Sequence, residues 1–165
     1  MLLAAFASVP RHKAALTILS PAVRREKEAP MKTIEATAVS TAPRDRVWAL
    51  LADASTWSTW GSWSEVGIEG GGEQRLGSVR VLRQWPFRLR ERITAWQPGE
   101  LMSYELLEGM NVRGYRSTVT LADAPDGGTT IHWESSYERA DPLTALILRA
   151  AVPGSAKRLA RGASA

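Results

Sequence analysis

Alternation of apolar and polar residues recurs along most of the chain from residue 33 to residue 139, and it predicts β-strands. The intervals between these runs are short and rich in Gly, Pro and Asp, as at 70–72 and 123–128. Such connections favour antiparallel hairpins over parallel crossovers. The predicted strands cover residues 33–40, 64–69, 77–84, 87–97, 101–107, 112–121 and 129–139.

Helical periodicity appears in two other parts of the chain. Val47, Leu50 and Leu51 form an i, i+3, i+4 stripe, which predicts a helix within 41–53, followed by a second short helix at 54–60. Asp141-Pro142 is a typical helix start, and it precedes a last apolar stripe of Leu143, Leu146, Ile147 and Ala150. We expect Pro153-Gly154 to interrupt this helix, with a weaker helical stretch over 155–161.

The order of elements predicts an α+β fold. A seven-stranded curved antiparallel sheet would wrap on a long C-terminal helix, with two short helices between strands 1 and 2. One helix cannot fill the concave face of so broad a sheet. The pattern therefore predicts a cavity between the sheet and the helix, which is a usual place for a small molecule to bind.

The amino-acid composition argues against several kinds of site and partner. The chain has 165 residues, which suits one domain, and it contains no Cys and two His, so we expect neither a metal site nor a cofactor. The net charge of +4 resides at the ends, because residues 31–139 hold twelve Lys or Arg against fourteen Asp or Glu. We therefore expect no nucleic-acid partner. No apolar run reaches the ~18 residues of a transmembrane helix.

Residues 1–30 differ from the rest of the chain. They lack the order of basic and apolar segments found in a secretory signal, and they end in the charged run RREKE. We interpret 1–30 as a poorly ordered N-terminal extension and 31–165 as the working domain. We expect a cytoplasmic protein that is a monomer or a weak dimer.

Strand alternation also assigns side chains to faces. In 87–97 one face carries Phe87, Leu89, Glu91, Ile93 and Ala95, and the other carries Arg88, Arg90 and Arg92. The arginine row belongs in solvent, so the first set is predicted to point inward. A carboxyl among apolar side chains has a raised pKa unless it is paired, which makes Glu91 a candidate for ligand contact or acid–base work. The alternative is a structural pair with an arginine such as Arg113, or a place near an open rim.

The same reasoning selects other inward residues. Tyr104 lies inward on its strand, and the row of Val119 and Leu121 continues through Tyr115 to Arg113. In 129–139 the inward set is Ile131, Trp133, Ser135 and Tyr137, which leaves His132 facing outward without a role. Four tryptophans fall within 48–63. We predict that Trp48 packs helix to sheet and that Trp60, with Trp57, plugs one mouth of the cavity; the direction of Trp63 stays open.

Several segments in the expected order resemble the START/polyketide-cyclase superfamily, also called SRPBCC, which has a helix-grip fold. They are AVSTAPRDRVWALLAD (38–53) with Trp57 and Trp60, RERITAWQPGELMSYEL (90–106) and DGGTTIHWESSYE (126–138). The resemblance covers about 33–150 and implies the fold and its cavity. It leaves the activity open, since members include cyclases, lipid carriers, receptors and chaperone activators. The interrupted terminal helix and the N-terminal extension depart from the family pattern.

Three functions follow as hypotheses. The first is binding of an apolar or aromatic small molecule, lipid-like or polyketide-like. The second is a cofactor-independent cyclase or dehydrase that uses Glu91, Tyr115 and Arg113. The third is a protein-interaction module with a filled cavity. The candidate ligand-binding residues are Trp60, Phe87, Leu89, Glu91, Ile93, Tyr104, Tyr115, Trp133, Ser135, Tyr137 and Ile147.

Overall fold

The computed structural model of the protein describes residues 30–165, so the predicted extension lies, apart from Pro30, outside the described residues. Seven strands form the main antiparallel sheet, as the alternation predicted. They are β1 (Lys32–Ser40), β2 (Glu65–Ile68), β3 (Val79–Gln84), β4 (Phe87–Gln97), β5 (Leu101–Glu108), β7 (Arg116–Asp123) and β8 (Thr129–Tyr137). Their order across the sheet is β1-β8-β7-β5-β4-β3-β2. The chain thus forms a meander from β2 to β8, and β1 joins its far edge.

Two short helices connect β1 to β2, as expected. Helix α1 (Arg44–Ala52) buries Val47 and Leu51, and a 3-10 turn (Ala54–Thr56) leads into α2 (Trp57–Trp60). Asp53 caps the turn by accepting a hydrogen bond from the Ser55 N–H. These helices cover one end of the sheet.

The C-terminal helix differs from the prediction, because α3 (Pro142–Ser164) runs unbroken through Pro153. Pro153 lacks the N–H that would bond the Arg149 carbonyl, which ordinarily kinks or ends a helix. Packing on both sides of Pro153 outweighs this loss. One apolar stripe continues past it, formed by Leu148, Val152, Ala156, Leu159 and Ala163, all of them buried.

Both ends of α3 are held by specific contacts. The carboxylate of Asp141 accepts hydrogen bonds from the backbone N–H groups of Leu143 and Thr144, at 3.0 and 3.1 Å. Near the other end, Ser164 Oγ lies 2.9 Å from Ser40 Oγ, at the end of β1. Gly162 allows α3 to approach α2, since a Cβ there would lie 2.6 Å from the Trp60 Cβ.

The strand predicted over 112–121 is divided in the structure. Val112–Arg113 forms β6, which pairs with β9 (Arg139–Ala140) in a separate two-stranded sheet. The chain turns at Gly114, whose φ of +66° lies in the left-handed region. Alternation alone did not reveal this break, and the assignment of Arg113 to the inward row depended on an uninterrupted strand.

Candidate functional site

A cavity of about 120 Å³ lies between the main sheet and α3. Side chains of α3, mostly aliphatic, form one wall, and aromatic and aliphatic side chains of the sheet and of the α2 region form the other. The lining residues are Trp57, Trp63, Leu82, Phe87, Leu89, Glu91, Tyr104, Leu106, Met110, Tyr115, Trp133, Ile147, Leu148, Ala151, Val152 and Ser155. Phe87 is 44% exposed, so it stands at the mouth. The cavity is apolar on most of its surface.

Glu91 is the one carboxyl in this lining, and it is only 5% exposed. Its Oε2 accepts a hydrogen bond from Arg80 Nε at 2.7 Å. The register of β4 against β5 shifts between Arg90 and Glu91, whereas β3 stays in regular register with β4 and pairs Arg80 with Glu91. Burial raises the pKa of Glu91, while attraction and a hydrogen bond from Arg80 oppose the rise.

Arg80 is fully buried behind Glu91. Its guanidinium Cζ lies 3.9 Å from the centre of the Trp57 ring and 4.2 Å from that of Tyr104. Gln74 Oε1 accepts a weaker hydrogen bond from Nη1 at 3.4 Å. Two aromatic faces and one carboxylate thus compensate the buried charge, as cation–π geometry allows.

A hydrogen-bonded chain of hydroxyl groups lies at the start of β7 and near the end of β8. Tyr115 Oη lies 3.1 Å from Ser135 Oγ, which lies 2.8 Å from Ser117 Oγ. Trp133 Nε1 donates to Ser117 Oγ at 2.9 Å. Burial raises the pKa of Tyr104 well above its ordinary value and also raises the pKa of Tyr115, with the Glu91 charge adding to each rise. Both phenols therefore remain neutral hydrogen-bond donors.

The structure places seven of the eleven candidate ligand-binding residues in the cavity lining: Phe87, Leu89, Glu91, Tyr104, Tyr115, Trp133 and Ile147. The other four lie outside the lining. Ile93 and Tyr137 are buried in the surrounding core, and Ser135 lies behind Tyr115 as its hydrogen-bond partner. Trp60 packs on α3 and donates from Nε1 to the Leu50 carbonyl at 3.3 Å.

Arg113 is far from the position expected for a catalytic candidate. Its side chain is 81% exposed and forms an ion pair with Glu138 at 3.0 Å. The turn at Gly114 separates it from Tyr115, so the two side chains do not continue one inward row. The arginine that pairs with Glu91 is Arg80, on the neighbouring strand.

Arg80 is the main residue that the sequence interpretation missed. A signal for it exists, because Trp85-Pro86 separates β3 and β4 by two residues and pairs Gln84 with Phe87. The same antiparallel register places Arg80 directly opposite Glu91. An inward carboxyl therefore predicts an inward residue at position 80.

The four tryptophans have separate roles. Trp48 packs edge-to-face on Trp96, with ring centres 5.0 Å apart, as helix-to-sheet packing requires. Trp57 and Trp63 line the cavity, whereas Trp60 supports Trp57 from behind at 4.8 Å. The cluster is thus part of the core at one side and part of the cavity wall at the other.

Comparisons with known proteins agree with this architecture. The family described as "Polyketide cyclase / dehydrase and lipid transport" matches residues 31–164. No curated protein matches the chain. None of the three α-helices in the described region has the length and hydropathy required of a transmembrane span.

Three solved structures illustrate the likeness of fold. A protein from Nitrosospira multiformis has 20% identity and a TM-score of 0.67, over 79% of this chain and 94% of that one. The protein XoxI from Bacillus cereus has 16% identity and a TM-score of 0.65, over 80% and 94%. An uncharacterised protein from Bacillus thuringiensis has 16% identity and a TM-score of 0.67, over 79% and 98%.

Proposed function

Because the chain belongs to the polyketide cyclase/dehydrase and lipid transport family, we propose that it binds an apolar or aromatic small molecule between the main sheet and α3. The observation that supports this most directly is the cavity itself, which is apolar on most of its surface and carries one carboxyl. Its volume of about 120 Å³ is close to that of engineered cavities that hold benzene, about 150 Å³. The space is therefore of the order that a single aromatic ring needs.

The direct test is a titration with toluene, followed by NMR and by tryptophan emission, since Trp57, Trp63 and Trp133 line the cavity. We expect saturable shifts in the signals of these indoles. Trp85 is 90% exposed, so the Trp85→Phe background removes a signal that the ligand does not reach. An absence of saturable binding would overturn the proposal.

A matched pair of variants on α3 locates the binding. Ala151 lines the cavity, whereas its neighbour Ala150 is exposed. Ala151→Phe fills the space that the ligand needs and should abolish toluene binding. Ala150→Phe adds the same ring on the solvent side and should leave binding unchanged. Equal binding by both variants would place the ligand elsewhere.

Cyclase or dehydrase chemistry is a second candidate, and Glu91 supports it. A carboxyl with a raised pKa faces the cavity beside the phenols of Tyr104 and Tyr115, which is a usual arrangement for proton transfer. Glu91→Gln should then abolish turnover of a cyclising substrate while the fold persists. Full turnover by this variant would reject Glu91 as the proton-transfer group. A protein-interaction module whose own side chains fill the cavity would leave no such space between the main sheet and α3.

A further inference from the structure

The two oxygens of Glu91 have different environments. Oε2 is held by Arg80, whereas Oε1 accepts no hydrogen bond from residues 30–165. Within these residues, the side-chain polar atoms that are fully buried and also lack a hydrogen-bond partner are Arg80 Nη2, Arg90 Nε and Arg158 Nε. Glu91 Oε1 also lacks a partner but is not among these fully buried atoms, so it is accessible. Because Glu91 lines the cavity, we take this oxygen to be accessible from the cavity. Glu91 Oε1 is thus a hydrogen-bond acceptor that is held in place by the contact between Oε2 and Arg80 and can accept a bond from a ligand.

The charge of this acceptor is already balanced. Arg80 contacts the carboxylate directly, and its guanidinium lies over Trp57 and Tyr104, so the cation–π position on those rings is occupied by the protein itself. A cationic ligand would meet the Arg80 charge close behind Glu91. An anionic ligand would meet the carboxylate. Burial penalises either unbalanced charge, so a neutral ligand is favoured.

Size restricts the ligand further. A volume of about 120 Å³ holds a single aromatic ring and is well below the roughly 300 Å³ at which pockets for larger ligands begin. Helix α3 lines the cavity mainly with aliphatic groups, including Ile147 and Val152, and Ser155 adds one hydroxyl. The Ser155 hydroxyl is neutral, so it is a weaker acceptor for the donor of the ring than the Glu91 carboxylate.

We infer that the cavity selects neutral, single-ring aromatic compounds that donate an O–H or N–H hydrogen bond, of the phenol or pyrrole class, with Glu91 Oε1 as the acceptor. The inference rests on the proposed binding function and names its ligand class. A buried acceptor left without a partner is costly, so a ring of equal size without a donor binds more weakly.

Pyrrole and thiophene are suitable probes, because they are neutral rings of similar size and only pyrrole carries an N–H donor. NMR titration of the full chain should show pyrrole binding roughly tenfold tighter than thiophene, as expected for a hydrogen bond to a charged acceptor. Equal affinities would overturn the inference but leave the binding function standing. Failure of both rings to bind would count against the binding function instead.

Two Glu→Gln variants on neighbouring strands isolate the acceptor. Glu91→Gln keeps an oxygen for Arg80 Nε and turns an amide N–H₂ toward the cavity, so the ratio of pyrrole affinity to thiophene affinity should fall to about one. Glu105→Gln removes an outward carboxylate that pairs with Arg92 at 3.2 Å, and it should keep the full preference. Retention of the preference in Glu91→Gln would refute the assignment of Oε1.

The neutrality of the ligand is tested separately with benzyl alcohol and benzylammonium, which differ in charge at similar size. Benzyl alcohol should bind roughly tenfold tighter, because Arg80 already satisfies the Glu91 charge. Tighter binding of benzylammonium would overturn the choice of a neutral ligand. This measurement uses the unaltered protein, so it does not depend on the stability of any variant.

Discussion

The two faces of β4 carry the same residue types in opposite surroundings. On the outward face Arg92 pairs with Glu105, with side chains 50% and 29% exposed. On the inward face Glu91 pairs with Arg80, with side chains 7% and 0% exposed. Water screens the outward pair and replaces either partner if one is lost. The inward pair is shielded from water, so the charge of each group is compensated mainly by the other group.

This difference shows that the alternation of faces along a strand affects the role of each side chain as well as the fold. Arg92 and Glu91 are adjacent on β4. Arg92 belongs to an ion pair on the surface, whereas Glu91 belongs to the ion pair beside the cavity. The side-chain types do not distinguish these roles. Their positions relative to α3 do, because the helix excludes water from one face only.

Removing the buried cation should have the largest effect. Arg80→Met leaves the Glu91 carboxyl unpaired and removes the guanidinium from Trp57 and Tyr104, so the free energy of unfolding should fall by about 3–5 kcal/mol. Urea unfolding measures the change. The double variant Arg80→Met/Glu91→Leu removes both charges and should recover most of the loss. A loss below ~1 kcal/mol in the single variant would contradict the dependence of each partner on the other.

The hydroxyl chain beside the inward pair predicts a smaller effect. Trp133→Phe removes the donor to Ser117 Oγ and leaves a small void, so the free energy of unfolding should fall by about 1–3 kcal/mol. Trp85→Phe is the control, because Trp85 is 90% exposed and makes no comparable contact. Equal stability of the two variants would show that the buried hydrogen bond contributes nothing.

The raised pKa of Glu91 predicts how stability depends on pH. A carboxyl whose pKa is higher in the folded chain favours folding most when it is protonated. The contribution is therefore fully present below the ordinary value of 4.5 and is lost as pH rises through the raised folded pKa. The groups that face Glu91 are Arg80, Tyr104 and Tyr115, and neither phenol ionises in this range.

Thermal unfolding between pH 4 and pH 8 checks this prediction. Glu91→Gln should flatten the component that falls with rising pH, whereas Glu105→Gln should keep it. Asp141 contributes with the opposite sign, since hydrogen bonds from Thr144 lower its pKa, but its window lies below 3.8. An unchanged profile in Glu91→Gln would assign the dependence to another group.

The outward pair should give the smallest change. Glu105→Gln breaks the contact with Arg92 at 3.2 Å, and a screened surface pair contributes about 0–1 kcal/mol to the free energy of unfolding. Any loss should shrink further in 0.5 M salt. Urea unfolding at both salt concentrations measures this, and a loss as large as that of Arg80→Met would remove the distinction between the two faces.

Local patterns determined most of the fold. Period-two alternation located all seven strands of the main sheet, and the arginine row at 88, 90 and 92 identified the outward face of β4. Glu91 followed as an inward carboxyl from the same pattern. These features are local, because the direction of a side chain in a strand depends on its neighbours in sequence.

The features that local patterns did not predict depend on tertiary packing. The stripe of buried residues on either side of Pro153 keeps α3 continuous, although the local rule predicts a break. The turn at Gly114 and the pairing of β6 with β9 remove Arg113 from the inward row, which no alternation could show. The size of the cavity depends on the distance between the main sheet and α3. This distance arises between segments distant in sequence, so only the folded chain fixes it.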